Sequence, residues 1–347
     1  MTNAVQVPHT SSPLATDSAA APAEVVARIR AAQRVLTVGH ENPDGDSLGF
    51  ALAMALAVEQ LGGRATPVSS DPVPPMYGFM PFIDRVLSDP EVGVDYDLII
   101  VGDCGELTRV GAVLGRNAEL FARVPIVNID HHISNRGFGT LDWIDSSAAA
   151  TCEMCTLLMP ALGVGLDAAG GAIAANLMAG LVNDTANFQH PNVTPRTLRV
   201  AAQLVAAGAP LSDTARLIYR TKPNRQLKLL GLVLARLEQD LDGRLVWAAL
   251  YDDDYAAAGA TVADSEGMSD LLSQSASGEI VLMFRQVGDR TKVSARTREG
   301  GPDATVLTGA FGGGGHARAA GATVDLPIGE AIPQVLNAAR AMLARGD

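Results

Sequence analysis

Pro125-Ile126-Val127-Asn128-Ile129-Asp130-His131-His132 is the stretch that decides the fold. A short apolar run that stops on an acid and two imidazoles has the form of a buried strand emptying into a chemically active loop. The form repeats upstream. Arg34-Val35-Leu36-Thr37-Val38-Gly39 ends at His40, and Asp97-Leu98-Ile99-Ile100-Val101-Gly102 ends at Asp103. Helix-like stretches lie between and beyond these runs. One covers 24–33, one covers 48–61 with Ser47 as its cap, and an Ala-rich one is capped by Asp167 and ends in Asn183-Asp184. Strands alternating with helices predict an α/β domain over 23–193, a parallel sheet with helices on both faces. Open sheets of that kind bind ligands at the carboxyl ends of their strands, where these acids and imidazoles fall.

The rest of the chain reads differently. Residues 1–22 are rich in Ala, Pro, Ser and Thr and are expected to be a disordered tail. Residues 194–242 are helical and charged on one face, a helical connector. A smaller α/β domain is expected over 243–347. Its strands are RLVWAAL (244–250), EIVLMFRQ (279–286) and TKVSARTR (291–298), the last two joined by the hairpin signal Gly288-Asp289. A glycine run at 312–315, a short run GATVDL and a final helix from about Ile328 follow.

Composition removes several function classes. With 48% apolar and 18% charged residues, the chain has a globular composition. A net charge of −12 argues against broad binding of long duplex nucleic acid, which requires a basic surface. Three cysteines make no disulfide framework, so a reducing cytoplasm is expected. No apolar stretch is long enough for a membrane span, and the N-terminus lacks a secretory pattern. Cys152-x-x-Cys155 has no second pair and is expected to be two small buried helix residues, not a zinc or redox site.

A single aspartate after a strand is usually a cap or turn former, and adjacent histidines are often surface groups. The joint pattern points elsewhere. His40, Asp44 and Asp46 share one strand-to-helix loop shaped by Pro43 and Gly45, and four of the six histidines (40, 131, 132 and 316) fall in such motifs. The two-residue step from Asp44 to Asp46 can aim the two carboxylates at different cations. Asp103, alone at a neighbouring strand end, is the candidate bridging ligand between them. Mixed imidazole and carboxylate ligation suits Mn²⁺ better than Ca²⁺. Two adjacent divalent ions suggest phosphate-ester chemistry, because they lower the pKa of a water and neutralise phosphoryl oxygens.

HENPDGDSLG (40–49), the isolated Asp103, DHHISNRGF (130–138) and GLVNDT (180–185) resemble, in this order, the four motifs of the DHH phosphoesterase superfamily. FGGGGHARAAG (311–321) is similar to the nucleotide-binding motif of its C-terminal DHHA1 domain. The compact layout resembles the group of stand-alone oligoribonucleases (nanoRNases) and 3′-phosphoadenosine-5′-phosphate (pAp) phosphatases, some of which hydrolyse cyclic-di-AMP. The resemblance implies two Mn²⁺ per subunit, replaceable by Mg²⁺ or Co²⁺, and a homodimer. His40, Asp44 and Asp103 would hold one ion, and Asp46, Asp103, His131 and Asp184 the other. His132 would face the scissile phosphate as donor or acid, with Asp130 orienting the histidine pair. Expected substrates are short RNA oligonucleotides, pAp and cyclic dinucleotides.

On the substrate side, Gly312, Gly313, Gly314 and Gly315 let backbone N–H groups approach a phosphate, and His316 adds a donor. A helix starting near His316 would add its dipole. Strand alternation places Lys292, Ser294, Arg296 and Arg298 on one face, with Arg285 on the neighbouring strand, expected to line an inter-domain cleft. Ser294 and Arg296 match the family's VSxR pattern. Arg136 and Asn135 lie just beyond the histidine pair, where they could touch a leaving group or simply shape the loop. The rival readings are a manganese-dependent inorganic pyrophosphatase or a single-strand exonuclease of the same superfamily, and a non-catalytic nucleotide sensor.

Overall fold

The computed structural model describes residues 20–345; the stretch expected to be a disordered tail lies, up to residue 19, outside the described residues. The chain divides into two compact units between Thr221 and Lys222.

The first unit opens with α1 (Ala23–Ala31), β1 (Arg34–Val38), α2 (Gly45–Gln60) and β2 (Arg64–Val68). After a long connection come β3 (Leu98–Gly102), the short helices α3 (Ala112–Arg116) and α4 (Ala118–Arg123), β4 (Ile126–Asp130) and β5 (Leu141–Ile144). Four helices complete it: α5 (Thr151–Leu162), α6 (Ala172–Asp184), α7 (Pro195–Ala206) and α8 (Leu211–Tyr219). The five strands form one all-parallel sheet in the order β2-β1-β3-β4-β5. In that order the chain reverses direction between β1 and β3, which opens a crevice at their carboxyl ends. His40 follows β1 and Asp103 follows β3, so the topology alone sets them on the two lips of that crevice.

Successive side chains of a strand point to opposite faces, and the core follows that period. Val35, Leu98, Ile100, Val127 and Ile129 face a core shared with α1, α2, α5 and α6. Leu36, Val38, Ile99, Val101 and Ile126 face a second core closed by Val110, Val113, Phe121 and Val124. Helix α2 is buried nearly all round, from Gly45 to Val58, because α6 and α5 cover the side that a surface helix would expose to water.

Two expected caps are corrected. Asp44, not Ser47, caps α2: its Oδ1 accepts from the amides of Asp46 and Ser47 at 2.9 and 3.1 Å. Ser47 lies inside the helix, where its Oγ accepts from the His40 amide at 3.0 Å. Helix α6 begins at Ala172 behind Gly171, whose left-handed backbone (φ 85°) breaks any continuation from Asp167. Strands β2 and β5 escape the sequence reading. β2 (RATPV) contains a proline and opens on an arginine, and β5 (LDWI) is a four-residue edge strand, so neither makes an apolar run.

The stretch 194–242, expected as a connector, is helical but shared. Helices α7 and α8 lie in the first unit, while α9 (Asn224–Ala235) lies in the second. There it is joined by β6 (Glu238–Asp240), β7 (Leu245–Leu250), α10 (Asp252–Ala258), α11 (Met268–Leu272), β8 (Ile280–Val287) and β9 (Arg290–Thr297). The chain ends with α12 (Ala304–Gly309), β10 (Gly314–His316), β11 (Ala319–Val324) and α13 (Ile328–Arg345). The second sheet runs β10-β11-β9-β8-β7-β6 and is antiparallel except where β7 meets β8. One face packs Leu282, Phe284 and Val293 against Val335 and Ala339 of α13; the other packs Val281 and Met283 against Leu229 and Val233 of α9. Among the described residues no helix is long and apolar enough to cross a membrane.

Candidate metal centre and substrate face

The ends of β1, β3, β4 and α6 converge. One oxygen, nitrogen or carboxylate atom from each of Asp46, Asp103, His131 and Asp184 falls within 4.8 Å of the others, and so do those of His40, Asp44 and Asp103. Asp103 belongs to both groups. Its Oδ1 lies 3.4 Å from His131 Nε2 and its Oδ2 lies 3.3 Å from His40 Nε2, so its two oxygens face different imidazoles. The backbone of Asp103 is left-handed (φ 58°), a conformation that Asp and Asn tolerate better than other side-chain-bearing residues. That turn redirects the side chain from the strand into the crevice.

Both imidazoles are held from behind. The Nδ1 of His40 sits 2.6 Å from the Glu41 carbonyl and that of His131 3.4 Å from the Ala148 carbonyl, which puts a proton on Nδ1 and turns each Nε2 toward the carboxylates. His131 Nε2 is also 3.3 Å from Asp184 Oδ2. His132 is turned the other way. Its Nδ1 lies 2.7 Å from Asp130 Oδ1, its ring meets that of His131 edge-on at 4.6 Å, and its side chain is 43% exposed. Asp130 is in turn gripped by Asn135, whose Nδ2 donates to Asp130 Oδ2 at 2.7 Å and to the Cys104 carbonyl at 3.0 Å. Asn135, expected within reach of a leaving group, is buried and serves this bracing role; Arg136 beside it is exposed. His190 lies at the margin, its Nδ1 3.1 Å from the Asp184 carbonyl.

Asp46 is fully buried, and its carboxylate caps α5. Oδ2 accepts from the Thr151 amide at 2.7 Å and Oδ1 from the Cys152 amide at 2.9 Å. Cys152 and Cys155 are buried residues of α5, and the Cys152 thiol rests against the Asp46 carbonyl at 3.6 Å. The segment from the end of β5 into the first turn of α5 therefore supports the centre twice, through the Ala148 carbonyl on His131 and these two amides on Asp46. It is fastened by Arg196 of α7, whose Nε donates to Glu153 at 2.5 Å and Nη1 to Asp145 at 2.9 Å. The sequence reading missed this brace; the signal present was Asp145-Ser146-Ser147, an aspartate two residues before a serine whose amide it caps.

Close helix packing completes the geometry. A Cβ on Gly49 of α2 would stand 2.4 Å from the Asn176 carbonyl of α6, and one on Gly180 of α6 would stand 2.4 Å from both Asp46 Oδ1 and Cys152 Sγ. Only glycine lets α2 and α6 approach so closely that Asp44, Asp46 and Asp184 meet. Gly180→Ala is expected to lower stability by about 1–3 kcal/mol through overpacking and to displace Asp46. A thermal melt and an activity assay on the same preparation would check it; an unchanged protein would refute the packing argument.

The residues fit a cation cluster. Five carboxylates, those of Asp44, Asp46, Asp103, Asp130 and Asp184, converge here, and among the described residues none has a lysine or arginine partner. Burial, and then the Asp103 charge, pushes the Asp46 carboxyl up to about 7. Burial followed by the charges of Asp46 and Asp103 drives Asp184 well above the ordinary carboxylate range. Burial would lower His40, but hydrogen bonds to Asp103 and Asp44 overcome it and raise the imidazole to about 11. The same contest, decided by Asp103, lifts His131 to about 9. His132 is raised mainly by its bond to Asp130. Buried carboxylates are costly when the imidazoles are their only counter-charges, and divalent cations, which accept mixed N/O donors, would supply the rest.

In the second unit the structure sorts the expected substrate residues. Arg296 donates to Asp270 at 2.6 Å, and Arg298 pairs with Glu279 at 2.9 Å. Arg285 has no carboxylate partner among the described residues. Its Nη2 donates to Ser294 Oγ at 3.1 Å and its Nη1 to Ser265 Oγ at 3.3 Å, while its buried Nε has no acceptor. The expected helix at His316 is replaced by a hairpin, β10 against β11, with His316 opposite Ala319. Glycine permits that pairing: a Cβ on Gly313 would stand 2.2 Å from the Gly321 carbonyl. Gly312, with φ 73°, makes the turn into the strand, and Gly314, Gly315 and His316 form it. Because β10 is a sheet edge, its outer backbone groups are unpaired by the sheet.

Residues 34–208 match the DHH family, N-terminal domain, and residues 243–345 the DHHA1 domain. The chain is 37% identical over 309 residues to the bifunctional oligoribonuclease and PAP phosphatase NrnA of Thermus thermophilus, with 88% of this chain and 89% of that protein covered. It is 24% identical to the Bacillus subtilis protein of the same name, with 87% and 92% covered. Among solved structures, an exopolyphosphatase-related protein from Bacteroides fragilis shares the fold at a TM-score of 0.79 and 20% identity, covering 91% of this chain and 94% of that one. With both domains matched across most of its length, the chain belongs to the DHH family and is a phosphoesterase, a DHH domain followed by a DHHA1 domain.

Proposed function

We propose that this phosphoesterase hydrolyses short oligoribonucleotides, pAp and cyclic-di-AMP, using two divalent cations, Mn²⁺ foremost. The carrying observation is that Asp103 turns one oxygen toward each of two donor groups. In this reading His40, Asp44 and Asp103 hold one ion, and Asp46, Asp103, His131 and Asp184 the other. Cations held there would supply water activation and offset charge on the phosphoryl oxygens. The protein's own part is positional and electrostatic. Asp130 fixes His132 through Nδ1, so Nε2 is free to meet a phosphate oxygen or the departing oxygen. Asn135 keeps Asp130 from rotating.

In the second unit Arg285 and Ser294, with Arg296, Gly312–Gly315 and His316, bind the nucleotide away from the bond that breaks. Arg285 is the cation best suited to a phosphate, because its neighbours give it hydroxyls and no counter-ion. The named activities of the Thermus thermophilus and Bacillus subtilis relatives support this substrate class.

Hydrolysis of pAp, pApA, cyclic-di-AMP and pyrophosphate with Mn²⁺, compared side by side, tests the reading. AMP released from the three nucleotides is the expected result; pyrophosphate as the best substrate would overturn it. Arg285→Met should raise KM for pApA by roughly ten- to a hundredfold, the worth of a lost charge-assisted hydrogen bond or two, with kcat little changed.

A further inference from the structure

Tyr77, Asn183 and Tyr219 form a polar cluster beneath the donor groups that the hydrolytic chemistry does not use. Asn183 lies in the last turn of α6, directly before Asp184. Its Nδ2 donates to Asp44 Oδ2 at 3.1 Å and to Asp184 Oδ1 at 3.2 Å. These carboxylates belong to different donor groups, Asp44 with His40 and Asp184 with His131. The amide therefore joins the two groups a second time, independently of Asp103.

The choice of oxygens is specific. Asp184 turns Oδ2 toward His131, and Asp44 turns Oδ1 toward its helix amides and His40. Asn183 takes the remaining oxygen of each, which fixes the rotation of both carboxylates about their last bonds. An amide turned over would press its own oxygen against two carboxylates. The two carboxylates oppose that turn, and Tyr77 favours the observed orientation: its hydroxyl donates to Asn183 Oδ1 at 2.8 Å, and the residue is 5% exposed. Tyr219 holds the same residue by its backbone, donating to the Asn183 carbonyl at 2.9 Å.

We propose that Asn183, with its amide orientation set by Tyr77, is a positioning residue that presets Asp44 and Asp184 for two cations at once. The proposal rests on the two-cation reading above, and its test is read by cation binding, without substrate. Groups that orient metal ligands typically contribute about ten- to a hundredfold in metal affinity. Here one side chain should contribute that to both ions.

Mn²⁺ titration of the full-length, metal-stripped protein by calorimetry measures this directly. For Asn183→Ala, both binding steps should weaken by about ten- to a hundredfold, while the melting temperature of the metal-free protein stays within a few degrees of wild type. Tyr77→Phe should weaken both steps by a smaller factor in the natural background and have no further effect on top of Asn183→Ala, since its hydroxyl acts through the amide. Asn183→Asp keeps the shape but cannot donate, so it should not restore wild-type affinity. Unchanged Mn²⁺ affinity in Asn183→Ala would overturn the inference, as would additive effects of the two substitutions. A wild-type protein that binds no Mn²⁺ would remove the two-cation reading itself.

Discussion

Asp103→Asn should leave a folded protein that has lost turnover of every substrate by on the order of a thousandfold or more. Its two oxygens face two imidazoles on opposite sides, and the amide replaces one of them with a donor that can ligate nothing. Charge stabilisation by a bound cation pair is worth several kcal/mol, and each 1.36 kcal/mol is tenfold in rate. Asparagine accepts the left-handed backbone at this position as readily as aspartate does, so the fold has no reason to fail. Circular dichroism and a thermal melt would establish the folded state, and the pApA assay the loss. Residual turnover above a tenth of wild type would contradict the bridging role.

Arg196→Ala should act mainly on stability. The side chain is 11% exposed and its partner Glu153 is fully buried, with Asp145 accepting from the same guanidinium. Removing one member of a buried pair typically costs about 3–5 kcal/mol, because the other charge stays buried and unpaired. For a unit of this size that lowers the melting temperature by roughly 6–20 °C. Activity should fall as well, since the segment held by Arg196, from the end of β5 into the first turn of α5, carries the Ala148 carbonyl and the Thr151 and Cys152 amides that orient His131 and Asp46. Restoring the balance by replacing Arg196 and Glu153 together with methionine should recover part of the stability. A melting temperature unchanged in Arg196→Ala would refute the brace.

The sequence disclosed the residues of the centre more fully than their supports. His40, Asp103, Asp130 and the histidine pair stand at the ends of apolar runs, and strand ends are legible because the change from apolar to polar is local. Asp184 was legible as the end of a long apolar helix. The supports are not local. Arg196 reaches Glu153 across 43 positions, and the Asp46 carboxylate meets the amides of Thr151 and Cys152 across more than a hundred. Periodicity carries no trace of such pairings. The mistaken caps have a different origin: Ser47 and Asp167 have the right chemistry to cap a helix, but local propensity does not say which of several polar residues the backbone turn will select. The helix expected at His316 fell to glycine itself, since residues 312–315 favour close strand pairing over a helix start.

The contact between α2 and α6 is made by backbone where Gly49 and Gly180 meet their neighbours. A seam of that kind has no side-chain volume to trade. Elsewhere in the core a larger residue on one element can be offset by a smaller one opposite; here the opposing atoms are a main-chain carbonyl and the Asp46 carboxylate, and neither can be made smaller. Moving Asp184 away from Asp46 would require shifting α6 as a rigid piece, carrying Asn183 with it. The distance between the Asp184 carboxylate and those at the start of α2 is thus written into the separation of two helices.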